Sequence, residues 1–365
     1  MNKAIKYRLY PTKEQEIMFA KTFGCCRKVY NLMLADKITH YEEHGILLQT
    51  TPAMYKKEYP FLKEVDSLAL ANEQLNLQTA YRNFFRDKKT GFPKFKSAKH
   101  SRRSYTTNNQ HGTIAIYDKA IRLPKIGKVK AKIHRRPLDH WKLKSATISQ
   151  DGDGKFYVSV LFEYDEDIPR ATVSDNVIGL DYKSDGLYMD SNGHCPEGQN
   201  KFYRQNQEKL AHAQRKLKHM TVGSNNYKKQ QRKIARIQKH IANQRLDHLH
   251  KLSTEIANSY DVVCVESLDM KAMANKAFGN GKATLDNGYG MFLNMLEYKL
   301  ADRGKYFVKV DKWHPSSQLC SCCGRRKKLS LGDRIYQCDC GLVIDRDYNA
   351  AINIKKEGLR RLKSA

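Results

Sequence analysis

Hydrophobic and polar positions repeat with two different periods along the chain, and the changes of period divide it into segments. Residues 3–10 (KAIKYRLY) alternate like a short β-strand that stops at Pro11. Thr12, with Gln15 three residues later, predicts a helix start closed by reciprocal side-chain bonds. An amphipathic run through Phe19, Phe23, Val29, Tyr30 and Leu34 continues that helix. A second helix is expected over Ser67–Arg86, with Leu68, Leu70, Leu75, Leu77, Tyr81, Phe84 and Phe85 as its apolar members. Its texture breaks at Gly91-Phe92-Pro93. From about residue 103 to 164 the period becomes two. TIAIY, KAIRLP, KVKAKIH, SATISQDGDG and KFYVSVLFEY read as strands, with D-G-D-G the clearest hairpin turn. These strands predict a compact β module completed by the first strand.

Residues 165–176, with Pro169 and several acids, read as a linker. Beyond it, VIGLDYKSDGLYMDSNG reads as two strands in hairpin order. A long basic helical region follows over about 201–257, with an intermittent apolar face of Ile234, Ile237, Ile241, Leu249, Leu252 and Ile256. A buried strand (DVVCVES), a Gly/Asn/Lys loop over 275–290, an amphipathic helix, a strand (YFVKVD), a cysteine cluster and a terminal helix complete the chain. The order strand, strand, helix, strand, helix, strand, helix is an α/β pattern. The whole is therefore expected to be a multidomain α+β protein, and 365 residues suffice for two or three cores. A membrane span is excluded, because no run of about 18 apolar residues occurs. No apolar signal-peptide core follows the first lysines, so a soluble, intracellular, cytoplasmic protein is expected.

Charge adds a partner to this outline. The net charge is +28. Residues 86–103 carry eight Lys/Arg against one acid, 122–144 nine against one, and 201–251 fourteen against two. The remainder of the chain is nearly neutral. Charge concentrated in this way suits the neutralisation of phosphates, which points to nucleic acid more than to a membrane surface or a merely solvated face.

Three carboxylates stand where chemistry is expected. Asp181 ends the apolar strand Val177-Ile178-Gly179-Leu180, and Glu266 ends Val262-Val263-Cys264-Val265. A carboxylate closing a buried strand is costly unless solvated or paired, so both mark the rim of a sheet. Asp347 lies in IDRDYNAAINI at an expected helix start, where an acid suits the dipole. Acids from separate elements can hold two Mg²⁺ ions for phosphodiester cleavage; each taken alone is as readily an ordinary loop starter. Five of nine cysteines fall within 21 residues, which favours metal over disulfide. Cys320 and Cys323, with Cys338 and Cys340, resemble two zinc knuckles that together supply four thiolates. The single residue between Cys338 and Cys340 is an uncommon spacing, which leaves Cys322 as an alternative ligand and a metal-free finger as the competing reading.

With these residues assembled, the chain resembles the TnpB family of RNA-guided DNA nucleases encoded by insertion sequences. IGLDYKSDG, VVCVES and above all WHPSSQLCSCCG…YQCDCGLVIDRDYNAAINI carry the likeness, and YRLYPTKEQ, TAYRNFF and GFPKFK extend it upstream. The resemblance implies a β-barrel-like wedge module (1–10 and 99–170) and a helical recognition lobe (11–98). It further implies an α/β ribonuclease H-like RuvC domain (171–310 and 347–365) interrupted by a zinc-finger insertion (311–346). It implies that the protein binds its own guide RNA and, as a monomer with one RNA, cuts double-stranded DNA beside a short flanking motif, in the prokaryotic cytoplasm and on the nucleoid when bound to DNA. Carried over by motif, the catalytic magnesium ligands are Asp181, Glu266 and Asp347, and Asp345 is expected to support the finger–helix junction instead. Arg346 is open between a phosphate contact and a structural salt bridge. Candidate nucleic-acid contacts are Tyr81, Arg82, Lys94, Lys96, Arg102, Arg103, Tyr105, Thr107, Asn108, Arg215, Lys228, Lys229 and Arg232, with core packing an equal reading for Tyr81. The 275–290 loop is either a gate or an ordinary connection. A strand-transfer transposase and a non-cleaving RNA-guided repressor are the competing functions.

Overall fold

The computed structural model describes residues 1–87, 89–196, 201–275, 281–330 and 332–364. The chain divides into two units, Met1–Glu166 and Asp167–Ala365. The first contains β1 (Asn2–Tyr10), α1 (Lys13–His44), α2 (Ser67–Arg86), β2 (Arg103–Asn108), β3 (Ala115–Ile116), β4 (Ala120–Leu123), β5 (Gly127–Lys132), β6 (Lys142–Gln150) and β7 (Phe156–Glu163). All seven strands form one antiparallel sheet in the order β2-β6-β7-β1-β5-β4-β3. The first strand thus lies inside the sheet. Its alternation turns Ile5, Tyr7 and Leu9 inward opposite Val160, Val158 and Phe156. Thr12 caps α1, and Gln15 reaches back to the Thr12 amide, the reciprocal arrangement expected there. The D-G-D-G turn joins β6 to β7. Along α2, Leu70, Leu77 and Tyr81 are buried, whereas Leu75 and Phe85 face solvent.

The second unit contains β8 (Val177–Lys183), β9 (Leu187–Asp190), α3 (Phe202–Lys218), α4 (Asn225–Ser259), β10 (Val262–Glu266), α5 (Met270–Met273), α6 (Gly281–Asn287), α7 (Tyr289–Ala301), β11 (Tyr306–Val310), β12 (Ile335–Gln337), β13 (Val343–Asp345) and α8 (Arg346–Lys363). The basic helical region expected over 201–257 is made of two helices, α3 and α4. Their packed faces bury Leu210, Ala213, Ile237 and Ile241. The stretch 275–290, read as a loop, contains α6, and residues 276–280 of it lie outside the described residues. β8, β10 and β11 are parallel, and β9 returns antiparallel on β8, giving the order β11-β10-β8-β9. The parallel strands read as unbroken apolar runs because helices cover them. α4 and α7 pack through Leu249, Ile256, Phe292, Leu296 and Leu300 with the side chains of Ile178, Leu180, Val263 and Val265. α8 lies against Val177, Val262, Cys264 and Val310 through Ile354.

That last contact is unusually close. A Cβ on Gly179 would fall 2.2 Å from the Ala351 carbonyl oxygen and 2.7 Å from the Lys355 nitrogen, both backbone atoms. A Cβ on Gly358 of the helix would fall 2.3 Å from the Cys264 Sγ on β10, here a side-chain atom. Glycine is required at Gly179 by contact, not by its dihedral angles. Gly179→Ala is expected to cost about 3 kcal/mol, since backbone must move to admit the methyl group. Gly24, in the interior of α1 with open space around it, offers the opposite case; Gly24→Ala is expected to gain about 0.5–1 kcal/mol from helix propensity alone. Urea unfolding of the two variants checks both signs.

Candidate active site and metal centre

Adjacent parallel strands bring the first two acids together. Val265 of β10 pairs with Leu180 of β8, so Glu266 and Asp181 occupy neighbouring positions at the C-terminal ends of the strands. This is the edge of an open α/β sheet where ligands bind. Asp347 arrives from the first turn of α8, whose seat against Gly179 fixes its height above β8. Asp345 is otherwise employed: its carboxylate caps α8, accepting from the Asp347 and Tyr348 amides at 2.9 and 3.0 Å. That leaves the Asp347 side chain to face the strands.

The electrostatics record the crowding. Burial, followed by the charges of Glu266 and Asp347, pushes the Asp181 carboxyl well above the usual carboxylate range, and the Arg346 guanidinium offsets this only in part. Burial pushes Glu266 up to about 7. Lys183, two residues beyond Asp181 on the same face of β8, reaches to 3.8 Å from Asp347, and Arg346 to 3.4 Å. The Tyr289 hydroxyl is fully buried, feels both Asp181 and Glu266, and has no hydrogen-bond partner among the described residues. Hard oxygen donors held together against their own repulsion, with an orphaned hydroxyl beside them, suit divalent cations.

α6 is tied to α3, α4 and the end of β8 by contacts with no periodic signal in the sequence. The Asp286 carboxylate, 1% exposed, accepts from the Tyr203 and Arg204 amides at the start of α3 and from Arg245 of α4 at 2.9 Å. Asn287 donates to the Ser184 carbonyl at the end of β8. Lys299 of α7 is buried against α4, where it donates to the His250 carbonyl, Ser253 and Thr254; burial draws its ammonium down to about 8.

The cysteines form the second centre. The sulfurs of Cys320, Cys323, Cys338 and Cys340 all lie within 4.8 Å of one another, and none is in a disulfide. Cys320–Cys340 and Cys323–Cys338 are each 3.6 Å apart. Tetrahedral zinc with bonds of about 2.3 Å requires sulfurs about 3.8 Å apart, so the set fits zinc. The one-residue spacing of the second knuckle therefore does not keep Cys340 out, and exposed Cys322 stands outside the set. Burial pushes the Cys320 thiol up, but the Cys323 and Cys322 amides and the neighbouring thiols draw it down to about 6, towards the thiolate a metal needs. Asn349 and Asn353 of α8 hold this finger. Their side-chain amides donate to the Leu319 and Ser316 carbonyls, and Asn349 accepts from Ser321.

The basic and polar candidates are scattered by comparison. Lys96, Arg102, Arg103 and Tyr105 line one cavity of about 340 Å³ in the first unit, where Lys96 is paired with Glu73. Thr107 is buried and bonded to Asp66, and Asn108 is half-buried. Tyr81 packs on Phe85 and Phe92, while Arg82 and Lys94 are exposed. Arg215 lines a groove of about 690 Å³ between α3 and α4 with Lys209, His212 and Lys233; exposed Lys228, Lys229 and Arg232 stand outside it.

Known proteins match nearly the whole length of this chain. Residues 159–277 match a family model described as "Probable transposase", 1–45 one described as "Helix-turn-helix domain", and 289–354 one described as "Cas12f1-like, TNB domain". Residues 1–45 here are one strand and one helix. A Streptomyces pristinaespiralis protein named as a candidate RNA-guided DNA endonuclease is 36% identical, covering 98% of this chain and 90% of its own. InsQ of Escherichia coli K12, named likewise, is 31% identical, covering 97% and 92%. The chain belongs to the TnpB family. The fold is also that of Cas12f1 in a cryo-EM complex with sgRNA and target DNA, with a TM-score of 0.62 at 13% identity, covering 97% of this chain and 98% of that one.

For this TnpB-family chain, the raised carboxyls predict a pH dependence. In protein freed of Mg²⁺ and Mn²⁺ but replete in zinc, Asp181 and Glu266 hold protons more tightly folded than unfolded. The stability these two groups contribute is then greatest below the ordinary value of 4.5 and is lost as pH rises through about 7. Glu266→Gln is expected to flatten this fall and to raise stability at pH 8 by on the order of 2 kcal/mol. Urea unfolding at pH 5 and pH 8 measures the difference.

Proposed function

We propose that the chain is an RNA-guided DNA endonuclease of a transposable element. In this reading it binds a guide RNA from its own element and cuts double-stranded DNA beside a short flanking motif by two-metal-ion hydrolysis. The observation that carries the reading is the meeting of Asp181, Glu266 and Asp347 at the C-terminal ends of two adjacent parallel strands. The names of its near-full-length relatives and the net charge of +28 supply the substrate class. The sheet β11-β10-β8-β9 with α4, α7 and α8 is read as a ribonuclease H-like RuvC domain formed by 171–310 and 347–365. The finger is its insertion at 311–346, 1–10 with 99–170 the wedge-like module, and 11–98 the recognition lobe.

Asp181, Glu266 and Asp347 would hold two Mg²⁺ ions, which when bound supply the charge needed at the attacking and leaving oxygens. The protein does the rest by position. β8 and β10 fix two carboxylates at strand spacing, and α8 delivers the third. Lys183 and Arg346 hold Asp347 in place and add positive charge beside the phosphate path. The four-cysteine finger, pinned to α8 by Asn349 and Asn353, stiffens the helix that carries Asp347. Sequence recognition is delegated to RNA–DNA pairing, so the basic surfaces of α3 and α4 need only accept a backbone.

Sequencing the RNA that co-purifies with the protein identifies the guide for a plasmid-library cleavage assay. Asp181→Ala is expected to lower cutting by at least about a thousandfold while target binding stays within about twofold. Equal losses of cutting and binding would contradict the catalytic assignment. Strand joining without any RNA would instead favour a transposase.

A further inference from the structure

One cluster of the first unit is not used by this reading. α1, α2 and the segment after α2 line an apolar cavity of about 370 Å³ with Ile38, Tyr41, Tyr81, Phe84, Phe85 and Phe92. Phe92 stands edge-on to Tyr81 and Phe84, with ring centres 5.6 and 5.4 Å away, and Phe85 lies parallel to Tyr81. Rings so arranged usually close a core, yet Phe85 is 66% exposed and Phe92 44%. Leaving them in water forgoes the burial that would otherwise hold the end of α2. The chain that follows Tyr81 is basic, with seven Lys/Arg against one acid over residues 82–99, while α1 adds one cation and one acid to the lining, Lys37 and Glu42.

We propose that this cavity receives an unpaired nucleobase of a single-stranded RNA segment, with the neighbouring cations meeting its phosphates. The inference rests on the nucleic-acid reading above and adds a site to it. Aromatic faces inside a basic surface are how proteins grip bases that have left the helical stack. A paired base presents no free face, so a duplex does not fill the slot, whereas the loops and bulges of a folded RNA do. A second copy of the chain is a poor occupant, because it would bring two such basic runs together.

The test uses full-length protein stripped of RNA and an oligouridine carrying 5-iodouridine, which crosslinks to aromatic side chains. In the wild type the crosslink is expected to map to Tyr41, Phe85 or Phe92. The double variant Phe85→Ala with Phe92→Ala, its fold checked by circular dichroism, is expected to bind oligouridine about tenfold more weakly. Its salt dependence should match the wild type's, because phosphate contacts are untouched. Equal affinity with crosslinks elsewhere overturns the proposal and leaves the nucleic-acid reading intact. Wild-type protein that binds no oligouridine at all overturns that reading too. Sedimentation showing a wild-type dimer that the double variant dissolves gives the face to a second copy, and the base-binding proposal fails.

Discussion

The second unit of this chain depends on the close approach of α8 to the sheet. Two glycines permit it from opposite sides: Gly179 on β8 beneath Ala351 and Lys355, and Gly358 on α8 above Cys264. An α-helix normally rides on a sheet over a layer of side chains. Here part of that layer is missing, and Ala350, Ala351 and Ile354 complete a dry seam. The consequence is positional. The helix cannot slide or rise without opening this seam, so its first turn keeps Asp347 over the ends of β8 and β10. The same helix carries Asn349 and Asn353, whose amides hold the finger. One packed interface thus places a carboxylate and anchors the four-cysteine centre.

What the seam enforces is electrostatically unfavourable. Burial keeps the Asp181 and Glu266 carboxyls protonated to higher pH than usual, with the charges of Glu266 and Asp347 adding to the effect at Asp181, and the cations Lys183 and Arg346 lean on Asp347. A fold selected only for stability would place apolar side chains there. Packing elsewhere in the unit bears the cost, as expected where stability is traded for function. The Asp286 clamp has a related role. By satisfying the first amides of α3 and the Arg245 guanidinium together, it ties the basic α3–α4 pair to the segment that follows Glu266.

Local pattern made much of this legible, and non-local contacts account for the rest. The strands ending at Asp181 and Glu266 stood out because a parallel strand covered on both faces reads as an unbroken apolar run closed by a charge. The capping box of Thr12 and the D-G-D-G turn were legible because each is written within four residues. The finger was legible from spacing, but not the fitness of its one-residue knuckle, which depends on how two distant turns fold around each other. Gly179 gave no signal, since its reason is a helix 172 residues further on. Asp286, Arg245 and Lys299 were invisible for the same cause. Which apolar residues of the second helix face solvent, Leu75 and Phe85 among them, was not legible from their spacing.

The central claim is that Asp181, Glu266 and Asp347 make one cation site while Asp345 serves the helix. Manganese(II) binding to zinc-replete protein, followed by electron paramagnetic resonance, tests it most directly. Asp181→Asn, Glu266→Gln and Asp347→Asn are each expected to abolish tight binding, whereas Asp345→Asn, whose side chain can still cap α8, is expected to retain it. Loss of manganese in Asp345→Asn with retention in Asp347→Asn would contradict the account.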